Sequence, residues 1–506
     1  MNTDLLLPKQ KRKAGETILS NINGVFNLSM LMDFYEFTMA NGYFVKGLKE
    51  KIAYFDMFFR RVPDNGGYAI MAGVEQLVEY LENLKFDDDD INYLREKGIL
   101  DEDFLDYLRS FKFECDVWAI PEGTPIFPNE PIVKVRGPVI QAQMVETMIL
   151  LTINHQSLIA TKANRICRAA AGRPVSEFGS RRAQGGHAAI MGARAAYIGG
   201  CTSTACTKAA QDFNIPAAGT MAHSWVQIFD TELDAFAAYA DIYPDSCTFL
   251  VDTYNVIKSG IPNAIKVMND VITSRGFRPK AIRIDSGDIT YLSKIARKKL
   301  DEAGFPDCQI LASNSLDEYI IRDILIQGAC IDMFGVGEKL ITSQSEPVFG
   351  GVYKLSGIED ENGNVIPKLK MSENVEKLTT PGNKQVFRLY SKNNGKAIAD
   401  VITLDGETID ENQPYILFDP DHTWKRKTVS GFTARSLLKQ IFSKGKCVYD
   451  LPALPDVRTY CLQQVETLWE EVLRFENPQK YYVDLSQDLW DLKNKLLREI
   501  SDKSSA

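Results

Sequence analysis

Ala281-Ile282-Arg283-Ile284-Asp285-Ser286-Gly287-Asp288 is the stretch that decides the fold. Strand-prone alternation runs straight into Ser, Gly and Asp, the residues of a turn. Side chains alternate along a strand, so if Ile282 and Ile284 face covering helices, Arg283 and Asp285 share the opposite, inner face. A charge away from water is costly unless it is paired or used. One reading is an ion pair that only holds strands together. The other is a site for a flat anion, gripped by the Arg283 fork with Asp285 beside it.

The same grammar recurs outward from this stretch. Between about residues 172 and 350, apolar runs end in small or polar residues near Phe178, Gly200, Gly219, Asp252, Asp285, Ser313 and Gly335. The successive gaps are 22, 19, 33, 33, 28 and 22 residues. Gaps of that size suit strand-plus-helix units, and about seven in series predict an α/β fold built on an irregular parallel α/β barrel. An open doubly wound sheet is the alternative. Active sites of such barrels form at the C-terminal strand ends, where these polar residues lie.

The flanking segments differ in character. Before residue 150, helices are expected over Ser29–Tyr43 and Gly73–Leu84, a strand over Ile52–Arg61, and a helix start capped at Asp87–Asp90. Short strands are expected around Pro121–Thr124 and Pro131–Val135, then one buried helix over Gln141–Ala171. After 350, Asn362-Gly363, Asn394-Gly395 and Asp405-Gly406 signal hairpins. Two amphipathic helices from about 457 are expected to carry Trp469 and Trp490. The predicted organisation is a tail at 1–19, an outer α/β domain whose first part is 20–150, the barrel with the site at 151–350, and the outer domain's second part with C-terminal helices at 351–506.

Composition narrows the function classes. The 506 residues are 45% hydrophobic and 25% charged, as in ordinary globular proteins. A formal net charge of -9 argues against non-specific nucleic-acid binding. The nine cysteines include no CxxC pair, and the chain holds no P-loop and no His/Cys cluster of a structural metal site. Scattered cysteines suit a reducing cytoplasm. Leu5-Leu6-Leu7 precedes the basic cluster Lys9–Lys13, the reverse of a secretory signal. Polar residues inside Gln141–Ala171 speak against a membrane span.

Four other strand ends carry candidates. Gly219-Thr220-Met221-Ala222-His223-Ser224 places one of only four histidines at the mouth of a helix. Its alternative is a satisfied core histidine. Phe334-Gly335-Val336-Gly337-Glu338 offers backbone N–H groups to a phosphate, and a tight turn is the competing reading. Glu177-Phe178-Gly179-Ser180-Arg181-Arg182 puts two arginines where a pyrophosphate would be neutralised, or a solvated charge pair. Val251-Asp252-Thr253-Tyr254-Asn255 adds a carboxylate. Ser313-Asn314-Ser315 reads as a helix N-cap.

Taken together, the motifs resemble the nicotinate phosphoribosyltransferase family over nearly the whole chain. They run in order: Met32–Met39 (MDFYEFTM), Phe58–Arg61 (FFRR), Phe178–Gly185 (FGSRRAQG), Gly219–Ser224 (GTMAHS), Asp252–Tyr254 (DTY), Arg283–Asp288 (RIDSGD) and Gly350–Leu355 (GGVYKL). The resemblance implies transfer of phosphoribose from phosphoribosyl pyrophosphate to nicotinate, releasing nicotinate mononucleotide and pyrophosphate for NAD biosynthesis, coupled to ATP hydrolysis. It implies ATP and Mg2+ as cofactors, and a homodimer with shared active sites, without nucleic-acid or membrane partners. It assigns His223 as the residue phosphorylated by ATP, and Asp285, the second catalytic candidate, would sit near the ribose or pyridine ring. Tyr35, Phe178, Thr220 and Arg283 would bind nicotinate. Arg181, Ser286, Gly287, Gly335, Gly337 and Thr379 would bind phosphoribosyl pyrophosphate or phosphate. The chain departs from the family pattern at Gly199–Cys206, where an Asp and an Asn are missing, so only Thr204 is carried over there. A nicotinamide phosphoribosyltransferase, a quinolinate phosphoribosyltransferase and a non-catalytic sugar-phosphate-binding scaffold are the competing functions.

Overall fold

The computed structural model describes residues 27–372 and 378–505, with no account of the side chains after residue 502. The tail expected at 1–19 lies outside the described residues. The chain forms two compact units, one from residues up to Leu158 together with those from Val348 onward, the other Ile159–Pro347.

In Ile159–Pro347, six parallel strands form one sheet. Its spatial order is Ser203–Thr204, Val175–Glu177, Met333–Val336, Gln309–Ala312, Ala281–Ile284, Thr248–Leu250. A single parallel bridge, Thr204 to Ala217, adds a seventh position beyond the first strand. Followed along the chain, each strand neighbours the next except Ser203–Thr204 and Thr248–Leu250, which are the two edges, and the last strand pairs with the first through Phe334–Val175 and Val336–Glu177. Among the described residues no pairing joins Ala217 to Thr248–Leu250, so the sheet is open. Helices Ile289–Glu302 and Glu318–Ile326 follow their strands, and Ile282, Ile284, Ile310, Ala312, Phe334 and Val336 are buried. One expected strand is corrected. The run ending near Gly200 is the helix Gly186–Ile198, and the strand comes after it at Ser203–Thr204. An alanine-rich apolar run has no periodicity that separates buried helix from buried strand.

The other unit braids the two chain ends. Its seven-stranded sheet runs Val365–Pro367, Gly351–Glu359, Ile52–Phe59, Val133–Pro138, Asp116–Ala119, Lys439–Ser443, Lys446–Cys447. Strand Ile52–Phe59 pairs antiparallel with Gly351–Glu359, and Tyr54 Oη donates to Glu359 Oε1 at 2.6 Å across 305 residues of sequence. A second sheet holds Phe432–Ser436, Lys384–Ser391, Ala397–Leu404 and Val483–Leu485. Within it Arg388 makes a bidentate pair with Asp400, at 2.7 and 2.6 Å, both side chains fully buried. The Phe127 and Tyr481 rings lie 5.2 and 5.9 Å from the guanidinium.

Several expectations shift here. Asn362-Gly363 and Asn394-Gly395 do link paired strands, with Gly363 and Gly395 at φ 81 and 69. Asp405-Gly406 turns the chain but makes no hairpin, because Ala397–Leu404 takes Val483–Leu485 as its other neighbour. Trp469 lies beyond the end of helix Leu454–Glu466, while Trp490 sits in helix Gln487–Ser505. Gln141–Ala171 is two helices, Val139–Met144 and Glu146–Ala169. No helix among the described residues is long and apolar enough to cross a membrane.

Removing one partner of a buried ion pair strands the other charge. Asp400→Ala is expected to lower the unfolding free energy by about 3–5 kcal/mol. Urea unfolding checks this, and a loss below about 1 kcal/mol would show that the pair carries no such weight.

Candidate active site

Strand ends of the parallel sheet converge on one cluster. The strand Ala281–Ile284 puts Ile282 and Ile284 in the core, which leaves Arg283 and Asp285 on the other face, as alternation requires. Arg283 is held on three sides. Its Nε donates to Ser313 Oγ at 2.8 Å, Nη1 to Thr220 Oγ1 at 2.9 Å and Nη2 to Asp285 Oδ1 at 2.8 Å. The Phe178 ring centroid lies 5.7 Å from the guanidinium carbon. The Ser313 hydroxyl also donates to Asp285 Oδ1.

His223 opens the five-residue helix His223–Gln227, with extended backbone at Ala222 before it. Its Nδ1 lies 3.1 Å from Thr253 Oγ1, and its Nε2 faces Asp285 Oδ2 at 3.9 Å. The imidazole is 41% exposed, open to a ligand. Asp252 Oδ2 accepts the Ser286 hydroxyl at 2.6 Å and the Asp285 N–H at 3.1 Å, while its buried Oδ1 has no hydrogen-bond partner. Behind Phe178, the buried Glu177 carboxylate accepts from Thr204 Oγ1 at 2.6 Å and from the Gly179 N–H. Burial raises the Glu177 pKa against the pull of those hydrogen bonds.

This arrangement combines a fixed cation under an aromatic ring, an accessible imidazole between a hydroxyl and a carboxylate, and a second carboxylate with a buried, unpartnered oxygen. It can hold a flat anion and carry nucleophilic chemistry on the imidazole.

Family models match along most of the chain. The nicotinate phosphoribosyltransferase N-terminal domain matches residues 30–154, the nicotinate phosphoribosyltransferase family model 174–365, and the C-terminal domain 383–493. The nicotinate phosphoribosyltransferase of Bacillus subtilis is 44% identical over 477 residues, covering 94% of this chain and 96% of its own. One of Mycobacterium tuberculosis is 38% identical over 450 residues, covering 89% of each. The crystal structure of human nicotinic acid phosphoribosyltransferase superposes with a TM-score of 0.82 at 28% identity, over 92% of this chain and 99% of that one.

The chain belongs to the nicotinate phosphoribosyltransferase family.

In this nicotinate phosphoribosyltransferase family member, direct contacts bring together Phe178, Thr220, His223, Arg283 and Asp285, and Asp252 accepts from both Asp285 and Ser286. Gly287 continues the turn at φ 79, a left-handed backbone that suits glycine. Arg181 is exposed on the short turn Ser180–Arg182, and neighbouring Arg182 pairs with Glu338 at 3.3 Å. Gly335 and Gly337 have a packing reason of their own. A Cβ on Gly335 would come within 2.5 Å of the Phe178 ring, and one on Gly337 within 2.9 Å of the Phe178 carbonyl oxygen. Tyr35 and Thr379 belong to the other unit. Thr379 is buried and its hydroxyl accepts from the Lys370 N–H at 3.1 Å. Tyr35 is 43% exposed on helix Phe34–Val45, with its hydroxyl pKa raised by partial burial and by Glu146.

Sequence reasoning missed Ser313, Thr253 and Glu177, and it gave Asp252 no role beyond a carboxylate at a strand end. Ser313 is not a cap, since Asp317 caps helix Glu318–Ile326, and Ser313 bridges Arg283 to Asp285. The two residues after it, Asn314 and Ser315, are left-handed at φ 83 and 48, strain of the kind found at functional sites. Thr253, Asp252 and Glu177 lie in quoted motifs, and their position at strand ends was the available signal.

Two outcomes follow. Gly335→Ala is expected to push the Phe178 ring and cost about 1–3 kcal/mol in urea unfolding. Unchanged stability would remove the packing role. Beside Tyr35, burial pushes the Glu36 carboxyl up to about 7, with Glu146 adding to it against hydrogen bonds from Thr147. The folded state then binds this proton more tightly than the unfolded state. Its stabilisation is full below the ordinary value near 4.5 and is lost as pH rises through about 7. Glu36→Gln keeps an acceptor for Thr147, so thermal unfolding should depend less on pH from 4.5 to 7, with higher stability than the parent at alkaline pH. An unaltered pH slope would show that Glu36 does not titrate there.

Proposed function

We propose that this chain transfers phosphoribose from phosphoribosyl pyrophosphate to nicotinate, coupled to ATP hydrolysis through phosphorylation of His223. The observation that carries the reading is Arg283, fixed by Thr220, Ser313 and Asp285 beside the Phe178 ring, next to an open His223. A planar anion is the ligand that such a forked cation and aromatic face recognise. The order of the parallel strands supports reading the unit as an irregular barrel that is unpaired at one seam.

Pyrophosphate leaves from C1 of the ribose as the pyridine nitrogen attacks. The protein must orient the ring, hold the ribose and stabilise the leaving charge. Arg283 and Phe178 orient nicotinate, with Thr220 aligning the guanidinium. Ser286 and Gly287 flank the ribose phosphate, and Arg181 neutralises pyrophosphate together with the backbone amides around Gly335 and Gly337. Asp252 fits an Mg2+ carried by pyrophosphate, because its buried Oδ1 has no hydrogen-bond partner. When bound, the ion supplies neutralisation of phosphate charge. Asp285 faces His223 Nε2 and stabilises the positive ring that forms when the imidazole takes the γ-phosphoryl group.

A homodimer is part of the proposal, with Tyr35 reaching the partner's nicotinate pocket. Leu31, Phe34, Tyr35 and Met39 form an exposed apolar set around one helix, which supports a surface covered by a second copy. All nine cysteines are free, consistent with a cytoplasmic setting.

Turnover of nicotinate and of nicotinamide, each with phosphoribosyl pyrophosphate and with or without ATP, tests the reading. Nicotinate should be preferred and stimulated by ATP. Preference for the amide would overturn it. His223→Ala should abolish ATP hydrolysis coupled to product and leave slow ATP-independent transfer. ATP hydrolysis that still tracked product would refute the phosphohistidine.

A further inference from the structure

We infer that Thr253 is the positioning residue of the His223 imidazole, its hydroxyl holding Nδ1 so that the ring enters the phosphoryl step as one tautomer in one orientation. This rests on the phosphohistidine reading and adds to it a residue that has no role so far. His223 has little else to hold it. Its helix is only five residues long, Ala222 provides no side-chain cap, and the ring is open to solvent on one side. The two contacts at its nitrogens therefore set its direction: Thr253 Oγ1 at 3.1 Å from Nδ1 and Asp285 Oδ2 at 3.9 Å from Nε2.

The Thr253 hydroxyl decides the tautomer. It is within hydrogen-bond distance of Nδ1, and its oxygen accepts the Nδ1 N–H. Asp285 Oδ2, at 3.9 Å from Nε2, is too far to hold a proton there, and it is kept at that distance because Arg283 and Ser313 both hold its Oδ1 and Asp252 holds its backbone N–H. With the proton on Nδ1, Nε2 carries the lone pair on the side of the ring away from Thr253.

Thr253 is itself carried on an anchored turn. Val251, two residues earlier, packs so closely on Gly260 that a Cβ there would come within 1.9 Å of the Val251 carbonyl oxygen. Asn255, two residues later, accepts from the Lys258 N–H at 2.8 Å and starts the π-helical turn Val256–Gly260. Such turns recur at functional sites. The hydroxyl is thus delivered from a segment clamped on both sides.

In the step, the Nε2 lone pair forms the bond to the γ-phosphorus. The bond from that phosphorus to the bridging oxygen breaks, and its electron pair leaves with ADP. The proton stays on Nδ1, donated to Thr253 Oγ1.

Thr253→Val removes the hydroxyl and keeps the branched shape; Thr253→Ser keeps the hydroxyl. The two variants and the parent are mixed with ATP, nicotinate and phosphoribosyl pyrophosphate, and phosphate on His223 is followed by mass spectrometry beside ATP hydrolysis. Thr253→Val should lower kcat for ATP hydrolysis and the rate of His223 phosphorylation about tenfold, the effect of one lost hydrogen bond, with KM for ATP within about twofold of the parent. Thr253→Ser should recover most of the rate. Unaltered phosphorylation in Thr253→Val overturns the inference and leaves the phosphohistidine standing. Equal loss in both variants, or a loss that falls on KM, shows a structural role and also overturns it. No phosphate on His223 in the parent refutes the underlying phosphohistidine reading before either variant is considered.

Discussion

A guanidinium and a carboxylate two residues apart on one strand organise everything around them. Arg283 commits three of its nitrogens to Ser313, Thr220 and Asp285, each on a different strand end or turn. Asp285 in turn faces His223 and is held by Asp252. The pair is mostly buried, with the two side chains 15% and 27% exposed, so attraction alone does not offset the water it has lost. The surrounding hydroxyls satisfy its remaining hydrogen-bonding capacity and fix one geometry, so the site is formed before any ligand arrives.

The sheet makes that convergence possible. Parallel strands all end on the same side, and direct pairing brings the end of Val175–Glu177 beside that of Met333–Val336 although more than half the unit separates them in sequence. Phe178 therefore lies over Gly335, and small residues there are a condition for the ring that covers Arg283. Among the described residues the sheet goes no further than Ala217 at this edge, and the segment that follows carries Thr220 and His223.

Much of this was legible because alternation and turn chemistry are local. Arg283 and Asp285 follow from a period of two, and His223 from a strand end followed by a helix. Other features depend on partners far away in the chain. Asp405-Gly406 has a hairpin's residues, but the strand before it pairs with residues near 484 instead. Ser313 resembles a cap until Arg283 and Asp285 are seen on either side of it. Glu177 would be a poor choice for a buried position without the Thr204 hydroxyl and the Gly179 N–H that receive it. The helix Gly186–Ile198 defeated pattern reading because small apolar residues suit either structure.

The braided sheet has a consequence for the order of synthesis. Strand Ile52–Phe59 emerges early, yet one of its two neighbours, Gly351–Glu359, is made about three hundred residues later. Until then its edge groups on that side have no native partner, and the edge is a template for wrong pairing. The segment Ile159–Pro347, whose contacts are largely its own, can reach its fold while the earlier strands wait. The unit completed last thus contains residues from both ends of the chain, and its folding is slowed by long-range contacts that no local propensity can hasten.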